Sequence, residues 1–372
     1  MRLAYLSTDP GIPYGGAKGA SVHLAAIAEA LAAEQNDVLL LVTAADAASA
    51  PPPGVRVEVL PGPNTRASTT DRLGFQDELT AWLEQRLEEF GADVVYERLA
   101  LHSAAGAAVA TRLAIPHLVE VNAPLLEEAA RYRKLEEPEA AEGRERETLS
   151  SADLVFAVSP PLADYARMKG GSRVEVLQNA AAIDRYPRTV RDGTHPVAAF
   201  AGSLRPWHGI ETIAAAWKLL GSAAPRLLIV GDGPSNGVLR GLAATVTGRV
   251  PPARVPSLLA GAAIGLAPYS PDAPDYFSPL KLFDYLAAGL ATVVADLPAV
   301  RSVVDQDTAV VIPRGDAKAL AEAVSALCAD SSERARLGRN ARALVEAEHT
   351  WRHRALRILE AAAELAPPEV KA

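Results

Sequence analysis

Leu3 to Ala45 reads LAYLSTDPGIPYGGAKGASVHLAAIAEALAAEQNDVLLLVTAA. An apolar run of strand length, LAYLST, meets Asp9 and Pro10; a glycine-rich loop follows, then a helical segment, SVHLAAIAEALAAE, then a second apolar run, VLLLVTAA. Two short apolar runs joined through a helix predict parallel strands with a crossover helix. One such unit does not make a fold, but the pattern repeats.

Working outward, VRVEVLP, DVVYERL, PHLVEVN, DLVFAVS and VEVLQNA read as further strands, with DRLGFQDELTAWLEQRLEEF among the intervening helices. A polar segment with prolines at both ends, IDRYPRTVRDGTHP, interrupts the alternation, which restarts with VAAFAGS, RLLIVGDG, IGLAPYS, ATVVADL and AVVIP. The fold class is therefore α/β, with two doubly wound domains, residues 1–185 and 186–350. Residues 351–372 form a terminal helix, and a bend is expected around Trp351.

Composition narrows the function classes. Hydrophobic content of 49% with 22% charged residues is ordinary for a soluble globular protein, and a net charge of −8 argues against general nucleic-acid binding. The apolar runs are too short to cross a membrane, and MRLAYLSTDP reads as a first strand rather than a signal peptide, so cytoplasm is the expected location. One cysteine, Cys328, builds neither a disulfide framework nor a cysteine metal site. Oligomeric state is not legible.

Open parallel sheets bind ligands at the carboxyl ends of their strands, so the loops there carry the chemistry. In Asp9–Leu24, Gly11, Gly15, Gly16 and Gly19 allow close backbone approach, and Lys18 adds charge at a helix start; neither a GxGxxG nor a P-loop fingerprint is present. In AGSLRPWHGIETI, Arg205 and His208 precede a helix, a grouping suited to a diphosphate, while Trp207 suits either core or stacking. Gly231 and Gly233 shape the turn of IVGDGP, and Arg249 and Val250 lie in TGRVP. The last loop is DYFSPLKLFDYLAAG. Ser278 is expected to cap a helix with Pro279 as its first residue and Gly289 as its stop, which turns the amides of Leu280 and Lys281 outward. Lys281 and Asp284 share a helix face: the simple use is an exposed ion contact, the functional one is phosphate for Lys281 and paired sugar hydroxyls for Asp284.

The order of these fragments, with EVNAPLLEE, ADLVFAVSPPLADYA, VLQNA and APYSP between them, resembles the retaining glycosyltransferases of family 4, the group 1 sugar-nucleotide transferases. The resemblance covers essentially the whole chain. It implies a GT-B fold: two Rossmann-like domains facing across a cleft, with C-terminal helices crossing back to the first. It further implies a nucleoside diphosphate sugar of GDP or UDP type as co-substrate in the second domain, a small-molecule acceptor in the first, and no other cofactor and no metal.

Carried over residue by residue, the resemblance implies that the family's basic pair on the diphosphate corresponds to Ser203 and His208, with Arg205 between them as a cation. Of the family's paired glutamates, Asp284 takes the ribose slot and Tyr276 stands in the sugar slot. Lys281 is shared with the branch that carries SPLK. In the first domain Asn122 is the candidate contact to sugar or acceptor, His117 reads as buried, and Glu97, His102 and Glu120 join Lys18 as acceptor-site candidates. Arg205, His208, Lys281 and Asn122 are the expected catalytic set. Tyr276 and Ser203 also suit a second reading, a degenerate member that binds nucleotide or an enzyme partner without transfer.

Overall fold

In this computed structural model the described residues are 1–46, 49–62, 68–132, 135–187 and 195–366. The chain forms two compact units, Met1–Gln178 with Trp351–Ala372, and Asn179–Thr350.

The first unit holds a seven-stranded parallel sheet of β1 (Arg2–Ser7), β2 (Asp37–Val42), β3 (Val55–Val59), β4 (Val94–Arg98), β5 (His117–Val121), β6 (Leu154–Ala157) and β7 (Val174–Val176). Their order is β3-β2-β1-β4-β5-β6-β7, with Tyr5 level with Leu40 on one side and Tyr96 on the other. β2 to β1 runs outward and β4 onward runs the other way, so the reversal falls between β1 and β4. Ligand crevices form at such a reversal. The helix Gly19–Ala33 is the first crossover; it buries Leu24, Ile27, Ala28 and Leu31. Helix Trp351–Leu365 packs on that helix, with Arg352 bonded to Glu34 at 2.7 Å and Trp351 edge-on to His23. The helical tail does break where a bend is expected, between Glu348 and Trp351.

The second unit repeats the plan with β8 (Val197–Ala201), β9 (Arg226–Val230), β10 (Ala244–Val246), β11 (Ile264–Ala267), β12 (Ala291–Ala295) and β13 (Ala309–Ile312), ordered β10-β9-β8-β11-β12-β13. Alternation along β8 sends Ala198 and Phe200 into one core cluster and Ala199 and Ala201 into another on the opposite face. Residues 179–186 belong to this unit, so the division falls after Gln178 rather than after residue 185. The physical reason is three bonds: Asn179 to Ser278, Ala181 N–H to the His349 carbonyl, and Tyr186 to Asp284.

The reversal point of this sheet lies between β8 and β11, and one side chain spans it. The ladder there pairs only Ile264 with Ala198 and Gly265 with Ala199. Beyond it, the Tyr285 hydroxyl accepts from Ala201 N–H at 2.7 Å and donates to the Leu266 carbonyl at 3.2 Å. Gly265 is required, because a Cβ there would lie 2.8 Å from the Tyr285 ring. Tyr285→Phe is expected to orphan the buried Ala201 amide at a cost of about 1–3 kcal/mol. Chemical denaturation of the two proteins measures the loss.

Candidate functional site

In the second unit, three loops at the carboxyl end of the sheet meet with little space between backbones. Gly202, with φ +134°, follows β8, and Gly231, with φ +147°, follows β9; a Cβ on Gly231 would strike the Gly202 carbonyl oxygen at 2.0 Å. A Cβ on Gly233 would lie 2.7 Å from the Leu204 backbone nitrogen, and Asp232 and Ser235 bond to that same backbone. Gly231 and Gly233 thus let one loop lie on another, and the third element, helix Leu280–Ala287, starts beside them: Lys281 Nζ sits 3.2 Å from where a Gly202 Cβ would be.

That helix begins one residue later than the sequence predicts. Pro279 is the cap residue, with extended backbone, and no side chain bonds the first-turn amides. Ser278 instead accepts from Asn179 Nδ2 at its carbonyl (2.8 Å) and its hydroxyl (3.1 Å), so its hydroxyl is held by the 179 loop. Gly289 does adopt the left-handed stop, φ +68°. The uncapped first turn leaves the positive end of the helix open to an anion.

Lys281 and Asp284 do not form the exposed ion contact. Lys281 Nζ is shielded from solvent and has no hydrogen-bond partner among the described residues; it lies 4.1 Å from the Phe200 ring centroid and 5.5 Å from that of Tyr269. Burial lowers its pKa to about 7. Asp284 Oδ1 accepts from the Tyr186 hydroxyl at 2.6 Å, and burial raises its carboxyl to about 6 against the pull of that bond. Two opposite charges one helical turn apart are directed to different partners. Tyr269 has φ +34°, a strained value for a bulky residue, and its ring also contacts His208 and Phe277.

His208 is not a cation here. Burial, then Lys281 and Arg205, lower its pKa to about 3, and its Nδ1–H donates to the Ser203 carbonyl. The imidazole is therefore neutral in the ligand-free protein, first because it is buried and then because Lys281 and Arg205 stand close to it. Arg205 is exposed, its guanidinium over the partly buried Trp207 ring. Arg249 is exposed, while Val250 packs on the core. Tyr276 is half-buried and edge-on to Phe277. The loop before it is held by Arg314, which bonds the Ala273 carbonyl and pairs with Asp275 at 2.7 Å. Among the described residues no cluster of three His, Cys, Asp or Glu side chains is arranged to hold a metal ion.

In the first unit the glycine loop is a fitted turn. Tyr14 exchanges backbone bonds with Ala44 and Asp46, and a Cβ on Gly15 would collide with Ser49, one on Gly16 with Ser21. Lys18 is exposed at the start of helix Gly19–Ala33. Asn122, just after β5, has a buried Oδ1 without a hydrogen-bond partner among the described residues. His102 lines a pocket.

Glu97 and Glu120 do not present themselves to an acceptor. Glu97 is fully buried, its Oε2 2.9 Å from His117 Nε2. Glu120 accepts from His23 (2.7 Å), Tyr96 (2.7 Å), Arg98 (3.0 Å) and Tyr5 (3.2 Å). Burial alone would raise the Glu120 carboxyl, yet His23, Arg98 and Tyr96 outweigh it and hold it at about 2. A charge in the middle of a parallel strand demands such partners. His23 and Asn179 are the residues sequence reasoning passes over; the only signals are a lone histidine on an apolar helix and the QNA that ends one strand run.

The buried lysine has a thermodynamic signature. Folded Lys281 titrates at about 7 and the unfolded residue at 10.5, so between those values the unfolded chain holds the extra proton and stability rises with pH. Asp284 acts in the opposite sense at lower pH: from 3.8 to about 6 the folded chain holds the extra proton, and stability falls as pH rises. Lys281→Met is expected to raise the thermal midpoint of the ligand-free protein at neutral pH and to remove the rise above it. A wild-type midpoint that does not climb above pH about 7 would contradict the buried, unpartnered ammonium.

Two family models match the chain. Residues 18–180 match the glycosyl transferase 4-like domain and residues 195–330 match glycosyl transferases group 1, together about four-fifths of the sequence. No curated protein matches. Among solved structures, sucrose-phosphate synthase from Thermosynechococcus elongatus is similar at 20% identity and a TM-score of 0.76, covering 98% of both chains. Anabaena HepE in complex with UDP-glucose is similar at 17% identity and a TM-score of 0.72, covering 98% of this chain and 100% of that one. The catalytic domain of starch synthase IV from Arabidopsis thaliana, bound to ADP and acarbose, gives 11% identity and a TM-score of 0.71, covering 98% and 99%. With the two parallel sheets and both domain models in sequence order, the chain belongs to the group 1 glycosyltransferases and has the GT-B fold.

Proposed function

We propose that the protein is a retaining glycosyltransferase that moves a sugar from a nucleoside diphosphate sugar of UDP or GDP type to a small-molecule acceptor, without a metal. The observation that carries this reading is Lys281: a buried ammonium with no hydrogen-bond partner among the described residues, beside an uncapped helix start and a glycine too small to block it. A diphosphate supplies what that group lacks. Solved structures of the same fold are complexes with UDP-glucose or ADP, which supports the ligand class.

In this reading Arg205, Lys281 and the amides of Leu280 and Lys281 meet the diphosphate, and Gly15 and Gly16 belong to the donor-binding set. Asp284 takes the ribose hydroxyls through its second oxygen while Tyr186 holds the first. Ser203, Gly231, Gly233, Arg249, Val250, Ser278 and Pro279 shape the donor site, and Tyr276 reads the sugar. His208 works by position: its Nδ1–H fixes the Ser203 carbonyl. Asn122, Lys18 and His102 serve the acceptor side, whereas Glu97 and Glu120 stiffen the strands beneath it. The bond from the anomeric carbon to the diphosphate breaks with its electron pair going to the phosphate oxygen. The acceptor oxygen bonds to the same face, and its proton passes to the departing phosphate. The protein's share is stabilising the charge that develops on that phosphate.

Binding a dianion favours protonated Lys281, so nucleotide affinity is expected to fall as pH rises above about 7, by at most about tenfold per unit for one linked proton. Titration calorimetry with UDP and GDP measures it, and Lys281→Met is expected to abolish the slope together with most of the affinity. Thermal shifts with UDP, GDP and ADP give the coarser test; if none binds, the reading is wrong.

A further inference from the structure

A pocket of about 100 Å³ opens in the first unit where the chain leaves β1, β2, β3 and β4. That is space for several waters or one ring-sized ligand. Its far wall is the pair of helices Thr69–Gly74 and Gln76–Phe90.

Four polar atoms on its lining are buried and lack a hydrogen-bond partner among the described residues: Thr8 Oγ1, Thr43 Oγ1, Gln76 Oε1 and His102 Nδ1. Thr8 and Gln76 are each only 8% exposed. The Gln76 amide is oriented by its Nε2, which donates to the Arg72 carbonyl at 3.1 Å, so Oε1 is left as a pure acceptor. An orphaned buried polar group is destabilising, and native proteins keep few of them. Four around one space of ligand size mark a place whose partner arrives from outside.

The lining also says which partner. Asp9 and Arg72 stand on the same pocket with opposite charges, so a phosphate meets a carboxylate there and an ammonium meets a guanidinium. Neither ion gains from the site as a whole. The rest of the wall is apolar, chiefly Phe75, Leu60 and Leu79. A ring with hydroxyls on its rim and C–H groups on its faces satisfies both halves: hydroxyls donate to Gln76 Oε1 and exchange bonds with the two threonines, and a C–H face lies on the apolar wall.

We infer that this pocket holds the acceptor as an uncharged polyol ring, a saccharide or cyclitol, and that Gln76, Thr43 and Thr8 determine its specificity. The acceptor role rests on the glycosyl-transfer reading above; the ligand class rests on the pocket alone.

Saturation-transfer NMR on the full chain, with and without UDP, tests it with three uncharged polyols (myo-inositol, glucose and glycerol) against inorganic phosphate and ethanolamine. The expected result is signal from the ring polyols, weakened roughly 3- to 10-fold by Thr43→Val and by Gln76→Met, with UDP affinity unchanged in both. Thr43→Val keeps shape and removes only the hydroxyl, so it decides the matter if Gln76→Met folds poorly. Preference for phosphate or ethanolamine overturns the inference, as does a pocket that takes up only water, or polyol binding indifferent to both substitutions. Residue-dependent polyol binding without any nucleotide binding leaves the polyol site standing and removes the glycosyl-transfer reading.

Discussion

The second unit depends on one hydroxyl. Two neighbouring parallel strands, β8 and β11, diverge at the reversal of strand order, and each leaves a backbone group unpaired in the core: the Ala201 N–H and the Leu266 carbonyl. Tyr285 answers both. A group that both accepts and donates is needed there, and of the apolar-bodied side chains only tyrosine offers it on a flat ring that the missing Cβ of Gly265 admits. Because Tyr285 is fixed in the fork, the helix that carries it is fixed in rotation. One turn earlier on that helix Lys281 is delivered to the end of β8, and the residue just before Tyr285, Asp284, is delivered to Tyr186. The donor-side geometry follows from a structural bond.

The two units treat buried charge in opposite ways. Glu120 is surrounded by four donors, and its carboxyl lies well below the usual range. Lys281 is surrounded by ring faces, and its ammonium lies well below the usual range for lysine. Both shifts go downward, but the meaning is reversed. For a carboxyl a low pKa says the charged form is well supported; for an amine it says the charged form is wanting. Satisfied networks rigidify, while unsatisfied groups wait for a ligand. That contrast separates the strand-centre residues of the first unit from the loop residues of the second more sharply than proximity does.

Strand and helix alternation is legible in the sequence because buried parallel strands are near-continuous apolar runs, and the break at the polar segment after Ala182 is equally plain. The SPLK helix shows where periodicity stops helping. Spacing puts Lys281 and Asp284 on one face, yet a strand end with Phe200 draws one inward and Tyr186, far back in the chain, draws the other. Ser278 has the right chemistry for a cap, but Asn179 takes its hydroxyl. Likewise Glu97 and Glu120 look like strand-end carboxylates until their partners, His117 on the next strand and His23 on a distant helix, are placed. In each case the deciding partner is remote in sequence, and a one-dimensional pattern carries no trace of it.

Helix Trp351–Leu365 packs on helix Gly19–Ala33, and Arg354 donates to the Gln178 carbonyl. The first unit is therefore discontinuous in sequence, whereas Asn179–Thr350 is not. On the ribosome, where domains fold as units from the N-terminus onward, this chain reverses the order. The second unit has all its residues while the first still lacks the helix that covers the His23 side of its sheet. Until that last helix emerges, the buried carboxylate network beneath His23 stands at an open surface, so the unit that begins the chain is the last to close.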